Sequence, residues 1–183
     1  LNSISAFQRK MKSRWGTVMN DTMKNCRKDI VNKIIPYAKK DKRIVLLVCD
    51  MGFGVTDQFK EEFPDKIFNM GMMEQGTVGI AAGMAMTGLI PIVYSIVNFL
   101  VFRAIEQIRN DVVMQNLNVK FIATGVNNYF KFLGSSHCCG NDDKKIMQLI
   151  NMKVFDPYER EKINFNKMIK DWITDPKPGY LRV

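Results

Sequence analysis

The chain has 183 residues, 46% of them hydrophobic and 25% charged, the proportions of one ordinary globular domain with enough chain to bury a full core. A disordered tail, a disulfide-stapled mini-protein and a collagen-like chain are excluded. The net charge of +9 is unevenly placed: residues 1–43 carry 12 Lys/Arg against 3 Asp/Glu, while residues 44–183 carry 15 of each.

The basic stretch reads either as an arm for phosphates or an acidic partner, or as a solvated helix face with a tail. Few aromatics interleave with its charges, which argues against a nucleic-acid surface. Cys26, Cys49, Cys138 and Cys139 form no CxxC pair and accompany no secretory signal. Free thiols in a reducing, cytoplasmic setting are expected.

In chain order, a helix is predicted over 17–40, with Pro36 kinking or ending it. The apolar run 44–49 suits a strand buried on both faces. A short helix near 55–62 and a short strand at 67–69 follow. Residues 77–102 contain no charged residue and are long enough to span a bilayer. Gly88 and Pro91 break that stretch, however, and 90–96 is rich in β-branched residues. The expectation is therefore a helix over 73–87, a turn and a strand over 90–96, with no membrane span. Ile105, Ile108 and Val112 recur at helical spacing within a helix over 99–116. A strand at 119–124, a long loop at 126–141, a helix at 142–150, a strand at 153–156, a helix at 159–173 and a strand at 179–183 complete the chain.

Strands alternating with helices predict an α/β fold, a parallel twisted sheet with helices on both faces. Such sheets bind ligands beyond the carboxyl ends of their strands, so the loops after Cys49, Asn69, Ile96 and Gly125 are the candidate site. The first contains Asp50-Met51-Gly52-Phe53-Gly54, which is neither a Walker loop nor GxGxxG. It reads as a tight turn or as a close backbone approach to a ligand. The second, Asn69-Met70-Gly71-Met72-Met73-Glu74-Gln75-Gly76, carries the only acid between Asp65 and Glu106. Glu74 reads either as a carboxylate favoured by a helix N-terminus or as a functional acid.

Residues 69–75 resemble the N-x-G-[IV]-A-E-Q signature of the transketolase pyrimidine-binding domain. The resemblance extends over 15–183. Phe63-Pro64-Asp65-Lys66 stands before the signature, Gly79-Ile80-Ala81-Ala82-Gly83-Met84-Ala85 after it, then Pro91–Ser95, Phe99–Asp111 and the closing Gly179-Tyr180-Leu181-Arg182-Val183. Residues 1–14 are set apart as a basic arm.

The resemblance implies thiamin diphosphate as cofactor, shared across a subunit interface. The aminopyrimidine would lie on this chain, while a separate pyrophosphate-binding subunit would hold Mg²⁺ and the diphosphate. Glu74 would contact the pyrimidine ring nitrogen, where a hydrogen bond from a buried carboxyl group favours the imino tautomer that removes the C2 proton of the thiazolium. Phe99 and Phe102 would pack on the aminopyrimidine, with one of the two also readable as helix core. Ile105 stands where an aromatic is common in the family. Asp50 matches an acid near the cofactor interface. Arg103 would meet a substrate phosphate or pair with Glu106 on the helix surface.

The loop 126–141 departs from the family pattern. His137 keeps the place of a histidine that contacts substrate, but a second histidine has become Cys138. Family glycines are replaced by Asn127 and Lys131, a proline by Ser135, and Asn141-Asp142 stands where Glu-Asp is usual. His137, Cys138 and Cys139 are three consecutive residues that cannot all face one tetrahedral ion without strain, so no metal site is expected there.

Two functions follow from the resemblance. One is the pyrimidine-binding component of a split, oligomeric, transketolase-like enzyme that moves a two-carbon ketol unit between sugar phosphates or related ketoses. The other is a non-catalytic protein that keeps the fold and binds a partner. The retained Glu74 favours the first and the altered loop the second.

Overall fold

The computed structural model describes residues 26–159 and 164–183. The arm at 1–14, the domain boundary beside it and the first residues of the expected helix at 17–40 lie outside the described residues.

Six strands form one sheet: β1 (Ile44–Val48), β2 (Ile67–Asn69), β3 (Ile90–Ile96), β4 (Lys120–Thr124), β5 (Lys153–Phe155) and β6 (Gly179–Arg182). Their order is β2-β1-β3-β4-β6-β5 and every pair is parallel. The chain leaves β1 toward β2 on one side and returns to β3 on the other, so the reversal that creates a ligand crevice lies at β1. Every residue of β1 and β4 is buried, as the unbroken apolar run at 44–48 predicts for a strand covered on both faces.

Alternate side chains of the strands build two cores. Leu46, Val48, Ile92, Tyr94 and Ile122 pack on one face with Ile30, Val31 and Ile34 of α1 (Cys26–Lys40), Phe59 of α2 (Asp57–Glu62), and Ile169 and Trp172 of α6 (Phe165–Thr174). Leu47, Val93, Phe121 and Tyr180 pack on the other with α3 (Glu74–Met86), α4 (Val97–Gln107) and α5 (Asp142–Leu149). Helix α1 continues past Pro36 to Lys40 rather than ending there.

The uncharged stretch 77–102 divides into most of α3, a turn, β3 and the start of α4. Among the described residues no helix is long and apolar enough to cross a membrane. The predicted helix at 99–116 is revised. It starts at Val97 directly from Ile96, is kinked at Ala104 (φ −112°, ψ 17°), and continues as a π-helical segment, Ile108–Val113. The widened turn keeps Ala104, Ile108 and Val112 all buried against one core, a use to which π segments are suited.

At the amino end of the sheet, Lys120 is buried and donates to the carbonyls of Asp175 (2.5 Å) and Lys177 (2.6 Å), tying β4 to the turn before β6. Burial pulls this ammonium down to about 8, against the opposing pull of Asp175. At the carboxyl end, Gly125 has φ 89°, and a Cβ there would lie 2.2 Å from the Phe130 ring. Only glycine lets the loop 126–141 turn back at this point.

Candidate functional site

Helix α3 opens with Glu74, only 1% exposed. Its carboxylate accepts from Ser95 Oγ of β3 at 3.1 Å on Oε1 and from Arg103 Nη1 of α4 at 2.6 Å on Oε2. Three elements thus converge on one buried acid. Ser95 was not legible as a partner in the sequence, since a lone serine in an apolar strand carries no motif. Cys49, whose thiol donates to Thr77 Oγ1 at 3.6 Å, lies close behind; burial first, with Glu74 adding to it, pushes that thiol up.

Arg103 pairs with Glu74 rather than with Glu106, and its guanidinium lies over the Phe99 ring at 4.6 Å. The kink at Ala104 follows directly after this residue. Asn98, Phe99, Phe102, Arg103 and Ser136 line an open concavity of about 320 Å³, to which Glu74 is connected through Arg103. Phe102 is exposed and Phe99 half-buried, so neither belongs to the buried core. Ile105 instead packs against that core and is not among the residues lining the concavity. Asp50 is exposed in a left-handed conformation (φ 43°), with its N–H donating to Asn69 Oδ1 at 3.2 Å. Asn69 Oδ1 also accepts from Gly71 N at 3.0 Å, which ties together the loops after β1 and β2. Phe53, Met72 and Met73 are exposed on these loops.

From the loop 126–141, Ser136 reaches the lining of this concavity and His137 meets its Phe99. The His137 ring meets Phe99 edge-on at 4.9 Å and its Nδ1 lies 3.0 Å from Ser136 Oγ. Asn98 Nδ2 donates to the Cys138 carbonyl at 3.1 Å, fixing the loop to α4. The loop is closed at its neck. Asn127 N donates to Gly140 O (3.2 Å), and Gly140 N donates to Asn128 Oδ1 (2.7 Å). Both asparagines are left-handed, at φ 54° and 61°, a region that Asn tolerates better than other side chains. Arg27 of α1 donates to Tyr129 OH at 3.2 Å and lies over the Tyr129 and Phe130 rings. The substituted loop is therefore held by defined contacts.

The anchor of that neck is Arg182, 1% exposed at the end of β6. It donates to Asp143 (2.7 and 3.0 Å), Asp156 (2.6 Å), Asn141 Oδ1 (3.0 Å) and Asn127 Oδ1 (3.3 Å). Tyr180 OH donates to the same Asp143 at 2.9 Å. Burial alone would raise the Asp156 carboxyl, but the Tyr158 N–H, Arg182 and Lys144 hold it below the usual range. The acid that matters to this arrangement is Asp143, while Asp142 of the expected pair is in a surface contact with Lys145. Among the described residues no group of three His, Cys, Asp or Glu side chains could hold a metal ion.

A family model described as transketolase, pyrimidine binding domain, matches residues 23–183. The chain belongs to this family. It is 36% identical over 140 residues to a putative transketolase C-terminal section of Methanocaldococcus jannaschii, covering 76% of this chain and 44% of that protein. It is 30% identical over 166 residues to an apulose-4-phosphate transketolase subunit of Phocaeicola vulgatus, covering 90% and 53%. A solved structure of a split-gene transketolase, described as an inactive beta4 tetramer, superposes with a TM-score of 0.72 at 30% identity, over 85% of this chain and 49% of that one. The chain spans about half the length of the curated relatives it matches. The parallel sheet predicted from the sequence is the fold found.

Transketolases use thiamin diphosphate, and the residues in place fit its aminopyrimidine. A buried carboxylate pairs with Arg103, and Arg103 lines an open concavity that carries two aromatic faces and no acid.

Proposed function

We propose that this chain is the pyrimidine-binding component of a split transketolase-like enzyme, transferring a two-carbon ketol unit between sugar phosphates or related ketoses. The observation that carries the reading is Glu74: a carboxylate 1% exposed, held by β3 and α4, whose partner Arg103 lines an aromatic-rimmed concavity. Thiamin diphosphate, when bound, supplies the carbon nucleophile for the transfer. The Glu74 carboxyl group would share one proton with the pyrimidine ring nitrogen, donating to it in the amino form and accepting from it in the imino form. Phe99 and Phe102 set the plane of the ring. His137, beside Phe99, contacts the substrate, and Asp50 faces the seam with the partner.

The partner in this reading is a pyrophosphate-binding subunit that contributes Mg²⁺ and covers the exposed Phe53, Met72, Met73 and Phe102. Apolar residues gathered beside a functional acid mark an interaction surface. The assembly is expected to be a symmetric oligomer. The names of the split-gene relatives support a two-chain arrangement.

The non-catalytic reading is favoured by one observation. Ser95 and Arg103 already satisfy Glu74, so its burial does not by itself require a ligand. Calorimetric titration of thiamin diphosphate with Mg²⁺, followed by a ketol-transfer assay, separates the two. The enzyme reading expects weak or no binding and no turnover by the chain alone, with both restored when the pyrophosphate-binding subunit is added. Micromolar binding with turnover by the chain alone refutes the split arrangement, and an assembly that neither binds cofactor nor turns over refutes the enzyme.

A further inference from the structure

Glu74 and Arg103 form an unequal pair. The carboxylate is 1% exposed, while the arginine side chain is 43% exposed. One oxygen of Glu74 is held from behind by Ser95, itself buried in β3. The other faces Arg103, which lines the concavity. The guanidinium also covers the Phe99 ring, at 4.6 Å from its centroid. One residue thus occupies both features that a flat heteroaromatic ligand would use.

We propose that Arg103 is a displaceable counter-ion that gates the Glu74 carboxylate, so that a ligand reaches the acid only by turning the guanidinium outward. This rests on the cofactor reading above. The asymmetry of burial sets which partner moves. Arg103 can rotate into water with little loss of hydration, whereas Glu74 cannot leave the core. With Arg103 gone and nothing in its place, the carboxylate, itself 1% exposed, would be left half-paired, which is costly. The gate is therefore shut by default. A ligand opens it by replacing both contacts at once, with a ring N–H donor to Oε2 and a flat ring on Phe99. The imino or ring-protonated form of an aminopyrimidine carries that N–H, and every form offers the flat face. A sugar phosphate has no aromatic face and is negatively charged, so it would bind to the guanidinium rather than displace it. The gate thereby selects the cofactor over the substrate at this position.

The test uses the chain assembled with its pyrophosphate-binding subunit. Thiamin diphosphate with Mg²⁺ is titrated calorimetrically into the wild type, Arg103→Gln and Arg103→Lys. Arg103→Gln is expected to bind roughly tenfold tighter, the gain from freeing a site open about one-tenth of the time. Arg103→Lys, which keeps the charge, is expected to stay near the wild type. Arg103→Met is the second neutral variant should the glutamine form fold poorly. In the chain alone, thermal midpoints of Glu74→Gln, Arg103→Gln and the double variant are expected to be non-additive, as for groups in direct contact. Binding by the wild type with equal or weaker binding by the neutral variants overturns the gate alone. Absence of cofactor binding in every form overturns the cofactor reading and the gate with it.

Discussion

Arg182 and Asp143 bind each other across two elements, Nε to Oδ2 at 2.7 Å and Nη2 to Oδ1 at 3.0 Å, with neither side chain more than 1% exposed. The pair joins the end of β6 to the first turn of α5, and through Asn127 and Asn141 it holds both ends of the loop 126–141. Removing one member leaves a buried charge without its partner. Arg182→Met and Asp143→Ala are each expected to lower stability by about 3–5 kcal/mol. Urea denaturation of the purified chain measures this. A loss below about 1 kcal/mol, the size of a surface pair, would show that the network is not the anchor of the loop.

Glu74→Gln is expected to lower cofactor-dependent ketol transfer by the assembled enzyme by ~10²–10⁴-fold, the usual effect of losing a positioned proton-transfer group. The same change removes the charge that faces Arg103, so the thermal midpoint of the chain should fall as well. Circular dichroism should remain native at room temperature. Near wild-type transfer by this variant would mean that Glu74 plays no part in the chemistry.

His137→Ala separates substrate from cofactor. Its ring touches Phe99 and Ser136 and is not in the core, so the fold should be indifferent to the change. Turnover is expected to fall while the calorimetric affinity for thiamin diphosphate stays within about threefold, since a surface-loop contact of this kind is worth little to the pyrimidine side. The opposite pattern, poor cofactor binding with normal turnover at saturation, would remove His137 from the substrate side.

Lys120 gives a pH signature. Its ammonium titrates near 8 in the folded chain, pulled down chiefly by burial, against an ordinary value of 10.5. Between those values the unfolded chain holds a proton that the folded chain has released. The contribution of Lys120 to stability therefore rises with pH from about 8 to 10.5 and is flat below 8. Denaturation curves of the wild type and Lys120→Met, compared over this window, should show the wild type gaining on the variant as pH rises. A difference between them that does not change with pH would contradict it.

Much of the sheet was legible because β1 and β3 are apolar runs and β3 and β4 are set off by Gly88 and Gly125. Glu74 was legible for a related reason, as a single acid in a stretch with no other charge. Its partners were not. Ser95 and Arg103 are 21 and 29 residues away, and their meeting depends on β3 running straight into α4, a junction that periodicity placed two residues late. The role of Asp143 was hidden for the same kind of reason. Two neighbouring acids look alike in a sequence, and only the turn of α5 decides that Asp143 faces Arg182 while Asp142 faces water. Asn127 and Asn128 read as losses of glycine. Their left-handed backbones and bonds to Arg182 and Gly140 show that the turn is preserved by other means.

Because Ile96 passes to Val97 with no intervening loop, the wall bearing Phe99, Phe102 and Arg103 continues directly from the central strand, whereas His137 hangs from a separate connection that Asn98 ties to that wall. Exchanges on that connection that keep the Cys138 carbonyl in place leave its bond to Asn98 of the wall intact. An exchange between homologous chains is therefore best confined to 129–136, which keeps the neck at Asn127, Asn128 and Gly140 and the Asn98 tie while renewing the surface opposite Phe99.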